Sequence, residues 1–370
     1  MKTHLRVLQL DLDVMCEKGT YDHNELFDYI VERMDGVGYD TVFIGISCEG
    51  YWELDGKDVD KTSKYLMFNP GSYLKANVLN ANIAEDAINI IHDRYPTVRI
   101  MAWAPTIYSR FVLDYAEATS GQSWYKRASP FDDRTWVRLN QFFRALGRLS
   151  EHLDGVMLQD DMYLLEEEDI STAALTTFKA ENFDTEVPEC DHRLRAYKIE
   201  LLDRLASHCF NAFRDGYKEA YPFTNKDLVF GRDYYEATVL YRDAYCNSWH
   251  GQSLITGVRK FDQVVIMAYY NMCTGVTTID PEASVAWLKD LVTQTKEYIG
   301  VDNLSKVIFK LQTVRWTGVP EGESSQIPAD MLIKQKQAIL EAGGVNVGFY
   351  PAPTGVSKFN IIDDCVFTAA

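Results

Sequence analysis

Asp160 and Asp161 are adjacent carboxylates at the end of a short apolar run, Gly155-Val156-Met157-Leu158. Carboxylates flanking a scissile bond are the usual machinery of glycosidic cleavage, one of them lending a proton to the leaving oxygen. Other β-rich runs end in groups of similar character. Asp11 and Asp13 close an alternating segment with Gln9 on the same face. Arg232-Asp233-Tyr234 closes another, and Trp103, Tyr269, Gln312, Trp316 and Tyr350 stand at or just past the ends of four more. Rings of this kind stack on the C–H faces of sugars, and carboxylates attract an amino sugar in its ammonium form. Trp103, Tyr234, Tyr269 and Trp316 are the expected ring platforms. Asp11, Asp13 and Asp233 are the expected partners of hydroxyl or ammonium groups.

Such groups converge only if the elements bearing them share one end of the fold. Eight β-rich runs are read at 5–14, 41–47, 98–104, 154–160, 227–233, 263–269, 306–314 and 345–350. Helical periodicity is read at 23–36, 82–95, 133–150, 192–220, 248–260, 281–299 and 328–342. This alternation, with no linker-like stretch, predicts an α/β fold: a (β/α)8 TIM-type barrel with long βα loops, one domain over 1–370. Residues 355–370 carry a weak or missing last helix. In a barrel the chemistry sits at the C-terminal ends of the strands, where these residues fall. An open doubly wound sheet is the competitor, but the turn after the first run lacks a G-x-G-x-x-G or P-loop pattern. The acidic stretch Glu166-Glu167-Glu168-Asp169 reads as a solvated helix start.

Composition narrows the classes. The 370 residues are 46% hydrophobic and 25% charged, as in globular chains. A net charge of −17 opposes nucleic-acid binding. No apolar run is long enough to span a bilayer. The aromatic share is 13%, with 22 Tyr and 7 Trp, compatible with a partly wet aromatic cleft. Seven Cys contain no C-x-x-C pair, and seven His contain no H-x-H or H-E-x-x-H pattern. No metal and no cofactor are therefore expected. No G-x-S-x-G elbow occurs. The N-terminus shows no apolar signal-peptide region.

The order of the strand ends resembles the C-terminal glycoside hydrolase domain of bacterial poly-β-1,6-N-acetylglucosamine deacetylases of the PgaB type. The matching segments are Leu10-Asp11-Leu12-Asp13, Ala102-Trp103-Ala104-Pro105, Asp154-Gly155 through Asp160-Asp161, Arg232-Asp233-Tyr234, Leu311-Gln312 with Trp316, and Gly348-Phe349-Tyr350-Pro351. They run in the same order over roughly 5–351. The resemblance implies a barrel cleaving partially de-N-acetylated poly-β-1,6-glucosamine, a biofilm polymer, with its catalytic carboxylate in the Asp160–Asp161 pair. It also implies a periplasmic or extracellular location. Gln159, Met162, Asp233 and Lys310 stand where that pattern has His, Ala, Asn and Glu.

Strand parity with Gly155, Met157 and Gln159 turns Asp161 toward the barrel axis. Asp161 is then the expected general acid, with repulsion from Asp160 raising its pKa. Asp160 would orient a substrate acetamido group for a substrate-assisted route. A turn at this strand end would exchange the two roles. The expected partner is an amino-sugar polysaccharide attacked internally, bound through Asp11, Asp13, Trp103, Arg232, Asp233, Tyr234, Tyr269, Gln312, Trp316 and Tyr350. The departures motivate a second reading, a carbohydrate-binding barrel without catalysis. A third, an enzyme of phosphorylated metabolites, has only Arg315 and Gly318 for a phosphate cradle, opposed by Glu321 and Glu323.

Overall fold

Eight parallel strands close into a barrel in chain order. They are β1 Arg6–Leu10, β2 Thr41–Gly45, β3 Arg99–Ala104, β4 Gly155–Leu158, β5 Val229–Tyr235, β6 Gln263–Ala268, β7 Val307–Gln312 and β8 Asn346–Tyr350. β8 returns to pair with β1, with Leu8 opposite Phe349. The computed structural model describes residues 4–15, 21–49, 53–54, 57–58, 64–72, 74–119, 126–183, 191–242, 251–276, 280–315 and 325–352.

Among the described residues, helices that connect successive strands outside the barrel include α1 His23–Met34, α2 Ile83–Arg94, α3 Asp133–Gly147, α4 His192–Ala220, α5 Leu254–Lys260, α6 Pro281–Ile299 and α7 Ala329–Glu341. Their starts follow from local chemistry. The Asp22 side chain accepts hydrogen bonds from the Asn24 and Glu25 N–H groups. Asp280 does the same for Glu282 and Ala283, with Pro281 preset for the first turn. Leu26, Ile30 and Met34 recur at four-residue spacing and are buried toward the barrel. The predicted last helix falls within 353–370, outside the described residues.

Period 2 divides each strand between two cores. Leu8, Leu10, Ile44, Val156, Phe309 and Leu311 face the helices in the large outer core. Val7, Phe43, Met101, Met157, Val265 and Ile308 fill the barrel interior as a separate apolar plug. Above this plug the inward positions become polar: Gln9, Asp233, Lys310 and Gln312, all buried. Two close approaches shape the frame. A Cβ at Gly155 would collide with the Val229 carbonyl, so glycine lets β4 and β5 close. Gly147 and Gly216 likewise bring the backbones of α3 and α4 together.

The acidic stretch differs from its expected solvated helix start. The helix begins only at Thr172, capped by the Ser171 hydroxyl. Glu168 and Asp169 are fully buried. Glu168 is satisfied by Arg127, the Thr119 hydroxyl and the Leu165 N–H. Burial pushes the Asp169 carboxyl up to about 6, although it accepts from the Ser171 N–H.

Candidate functional site

The mouth is built on inward positions of five strands. Asp233, on β5, lies at its floor and is fully buried. Lys310, on β7, donates to its Oδ2 at 2.5 Å and to Gln9 Oε1 at 3.2 Å. Trp103 Nε1, from β3, reaches the same Asp233 oxygen at 3.3 Å. Gln9 passes the chain of contacts on to Asp11 Oδ1 at 3.3 Å. Asp233 Oδ1 is buried and has no hydrogen-bond partner among the described residues. Burial pushes the Asp233 carboxyl up to about 6; Lys310 opposes that rise, and the charge of Asp160 adds to it.

Aromatic rings wall this floor. Tyr350 packs against Trp103 at 5.8 Å and stacks over Tyr269 at 6.1 Å between centroids. The Lys310 ammonium lies 5.3 Å from the Trp103 and Tyr350 centroids and 5.9 Å from that of Tyr269. A cation among three π-faces and one carboxylate is held by both kinds of attraction.

Asp160 stands at the rim, partly exposed. The Tyr235 hydroxyl donates to its Oδ2 at 3.3 Å. Tyr163 packs edge-on against Tyr235, and the Arg127 guanidinium lies over Tyr163 at 4.2 Å. Burial pushes the Tyr235 phenol well above its ordinary range, with Asp160 adding to the effect, so Tyr235 acts as a neutral donor.

Asp161 does not face the axis. It is 1% exposed, and its carboxylate accepts the Thr106 N–H at 2.8 Å, the Thr106 hydroxyl at 2.7 Å and the Tyr108 N–H at 3.0 Å. β4 ends at Leu158 and the chain turns at Asp160, so strand alternation does not reach position 161. Parity therefore misplaces Asp161, and Asp160 is the member of the pair that stands at the rim. Asp161 instead fastens the β3 loop behind it.

Arg232 and Tyr234 also lie away from the mouth. Asp233 points inward, so its two neighbours on β5 point toward the helices. Arg232 is fully buried and donates to Asp203 Oδ1 at 3.0 Å and the Met162 carbonyl at 2.6 Å. It thus pins the segment following the Asp pair. The Tyr234 ring packs beside Gly257 of α5 and is no platform for a sugar. Gln312 faces inward, but its amide is engaged by the Met272 N–H at 3.2 Å and the Val314 carbonyl at 2.8 Å. It ties the loops after β6 and β7 together. Asp13 lies in the 3-10 turn Leu12–Met15, its side chain outside the described set. Trp316 lies outside the described residues.

Three participants went unassigned in the sequence reading: Tyr235, Lys310 and Tyr163. Parity held the signal for two of them. Tyr235 is two residues beyond Asp233 on one strand face, and Lys310 is two before Gln312. Tyr163 lies in the loop after β4, where no periodicity marks it. Among the described residues no group of three or more His, Cys, Asp or Glu is placed to hold a metal.

Carboxylates and aromatic rings at the C-terminal ends of the strands of a closed parallel barrel are an arrangement that suits a glycoside hydrolase. The chain belongs to a family described as hypothetical glycosyl hydrolase family 13, whose model matches residues 9–350. It is 23% identical over 363 residues to the poly-β-1,6-N-acetyl-D-glucosamine N-deacetylase of Escherichia coli K12. That match covers 95% of this chain but 50% of the relative, so the chain spans about half the length of the curated relatives it matches. The glycoside hydrolase domain of PgaB (BpsB) from Bordetella bronchiseptica superposes with a TM-score of 0.74 at 21% identity, covering 97% of this chain and 98% of that one. A class V chitinase mutant from Cycas revoluta shares the fold at a TM-score of 0.53 and 9% identity, covering 97% and 99%. Among the described residues no helix is long and apolar enough to cross a membrane.

Proposed function

We propose that this glycoside hydrolase cleaves, within the chain, partially de-N-acetylated poly-β-1,6-N-acetylglucosamine or a related amino-sugar polymer. One observation carries the reading: Asp160 stands at the rim, held by Tyr235, above a floor walled by Trp103, Tyr269 and Tyr350. The polymer class is supported by what the E. coli relative's name says it acts on and by the PgaB domain's shared fold. The proposal concerns glycosidic cleavage and not the deacetylation in that name.

Asp160 serves as the general acid. Its carboxylic proton passes to the glycosidic oxygen as the bond to the anomeric carbon breaks. The substrate's own acetamido oxygen bonds to that carbon from the opposite face. Water then opens the resulting ring, and the Asp160 carboxylate takes the proton that water loses, restoring the acid. Tyr235 holds Asp160 in place, and Asp161 and Arg232 hold the surrounding chain from behind. Trp103 and Tyr350 present π-faces to the sugar.

The test is a panel of β-1,6-glucosamine polymers of graded acetylation, assayed for new reducing ends and for oligosaccharides by mass spectrometry. Shortened oligosaccharides from at least one member are expected. Binding without any cleavage would replace this reading with that of a carbohydrate-binding barrel.

A further inference from the structure

The floor of the mouth already contains a cation. The Lys310 side chain is 2% exposed, its ammonium paired with Asp233 at 2.5 Å and surrounded by Trp103, Tyr269 and Tyr350. Aromatic faces with one carboxylate are what a glucosaminium would seek, and here that position belongs to the protein. A second ammonium against the same rings would meet a like charge in a water-poor pocket, where repulsion is poorly screened. The pair is neutral overall when both groups are ionised, so the floor offers no uncompensated negative charge. It does offer an acceptor, since Asp233 Oδ1 is buried and has no partner among the described residues. An acceptor beside a fixed cation calls for a neutral donor, such as an amide N–H.

We propose that Lys310 is a specificity-determining residue that reserves the floor of the mouth for an N-acylated amino sugar and excludes glucosaminium from it. Glucosamine units of a mixed polymer are then accommodated away from the floor, and cleavage falls at N-acetylated units. This rests on the proposed polymer as substrate, but the selection itself is a property of the floor and is measurable by binding alone.

Defined β-1,6-linked oligosaccharides differing at one unit, N-acetylglucosamine or glucosamine, provide the test, read as dissociation constants in an Asp160→Asn background so that binding is measured apart from cleavage. With Lys310 present, the acetylated oligomer is expected to bind at least tenfold tighter. With Lys310→Met added, which keeps the aliphatic stem and removes the charge, that ratio is expected to fall to within threefold. Equal binding, a preference for glucosamine, or an unchanged ratio in a folded Lys310→Met variant would overturn the proposal. Should the variant fail to fold, the pH dependence with Lys310 in place decides: raising the pH until the substrate amine is neutral is expected to narrow the preference, and a constant preference would overturn charge exclusion. Selective binding of the acetylated oligomer by the wild type without cleavage of any oligomer would support the role of Lys310 and sink only the hydrolytic reading.

Discussion

Replacing Asp161 by Ala removes the acceptor for two buried backbone N–H groups, those of Thr106 and Tyr108, and for the Thr106 hydroxyl. An orphaned buried donor costs roughly 1–3 kcal/mol, so the two N–H groups together cost about 2–6 kcal/mol. That is a large part of the roughly 5–15 kcal/mol that holds a typical protein folded. Asp161→Asn should be milder, at roughly 1–2 kcal/mol, because the amide oxygen still accepts both N–H groups while the charge is lost. Asp160 is partly exposed and, among the described residues, has a single hydrogen bond, at 3.3 Å from Tyr235, so Asp160→Ala should stay within about 0.5 kcal/mol of wild type. Urea unfolding followed by circular dichroism reads the difference. With a slope of about 3 kcal/mol per molar, a 4 kcal/mol loss moves the midpoint by about 1.3 M. Equal midpoints for Asp160→Ala and Asp161→Ala would refute the division into a partly exposed rim carboxylate and a buried fastener.

Gly155→Ala should destabilise the barrel by about 1–3 kcal/mol, because its methyl meets the Val229 carbonyl; a wild-type melting temperature would count against this packing. Asp169 has a raised pKa of about 6 in the fold against about 4 in the unfolded chain, so the native state holds the extra proton between these values. Its contribution is full below pH 4 and is lost as pH rises through 6. Asp169→Asn should therefore remove a decline of about 3 kcal/mol over that window, measured as stability against pH relative to wild type. Tyr235→Phe should lower cleavage about two- to tenfold, the worth of one hydrogen bond, with the fold intact; unchanged kcat would free Asp160 from this tether.

The barrel was readable in the sequence because its strands and helices carry different periods. The helix over His192–Ala220 is a case, its buried positions repeating along one face from Leu194 to Tyr217. The site was readable only where a residue stayed inside a regular strand. Trp103, Asp233 and Tyr350 keep the parity of β3, β5 and β8 and point into the mouth. Asp161 lies past the end of β4, where a turn breaks the alternation, and its orientation is set by Thr106 and Tyr108, fifty-odd residues earlier. Arg232 and Tyr234 were grouped with Asp233 by proximity in sequence, although parity sends them to the opposite face. Lys310 and Asp233 are 77 residues apart, so their ion pair follows from barrel closure and from no local pattern. The burial of Glu168 likewise depends on Arg127, 41 residues away.

The central claim is that Asp160 is the acid of a glycosidic cleavage. Asp160→Asn keeps the size and hydrogen-bonding reach of the side chain but cannot supply an acidic proton. Release of oligosaccharides from partially de-N-acetylated poly-β-1,6-N-acetylglucosamine, measured by mass spectrometry for wild type and variant, tests the claim most directly. Cleavage should fall by about 10²–10⁴-fold, with polymer binding and unfolding midpoint unchanged. Wild-type release by Asp160→Asn would contradict it.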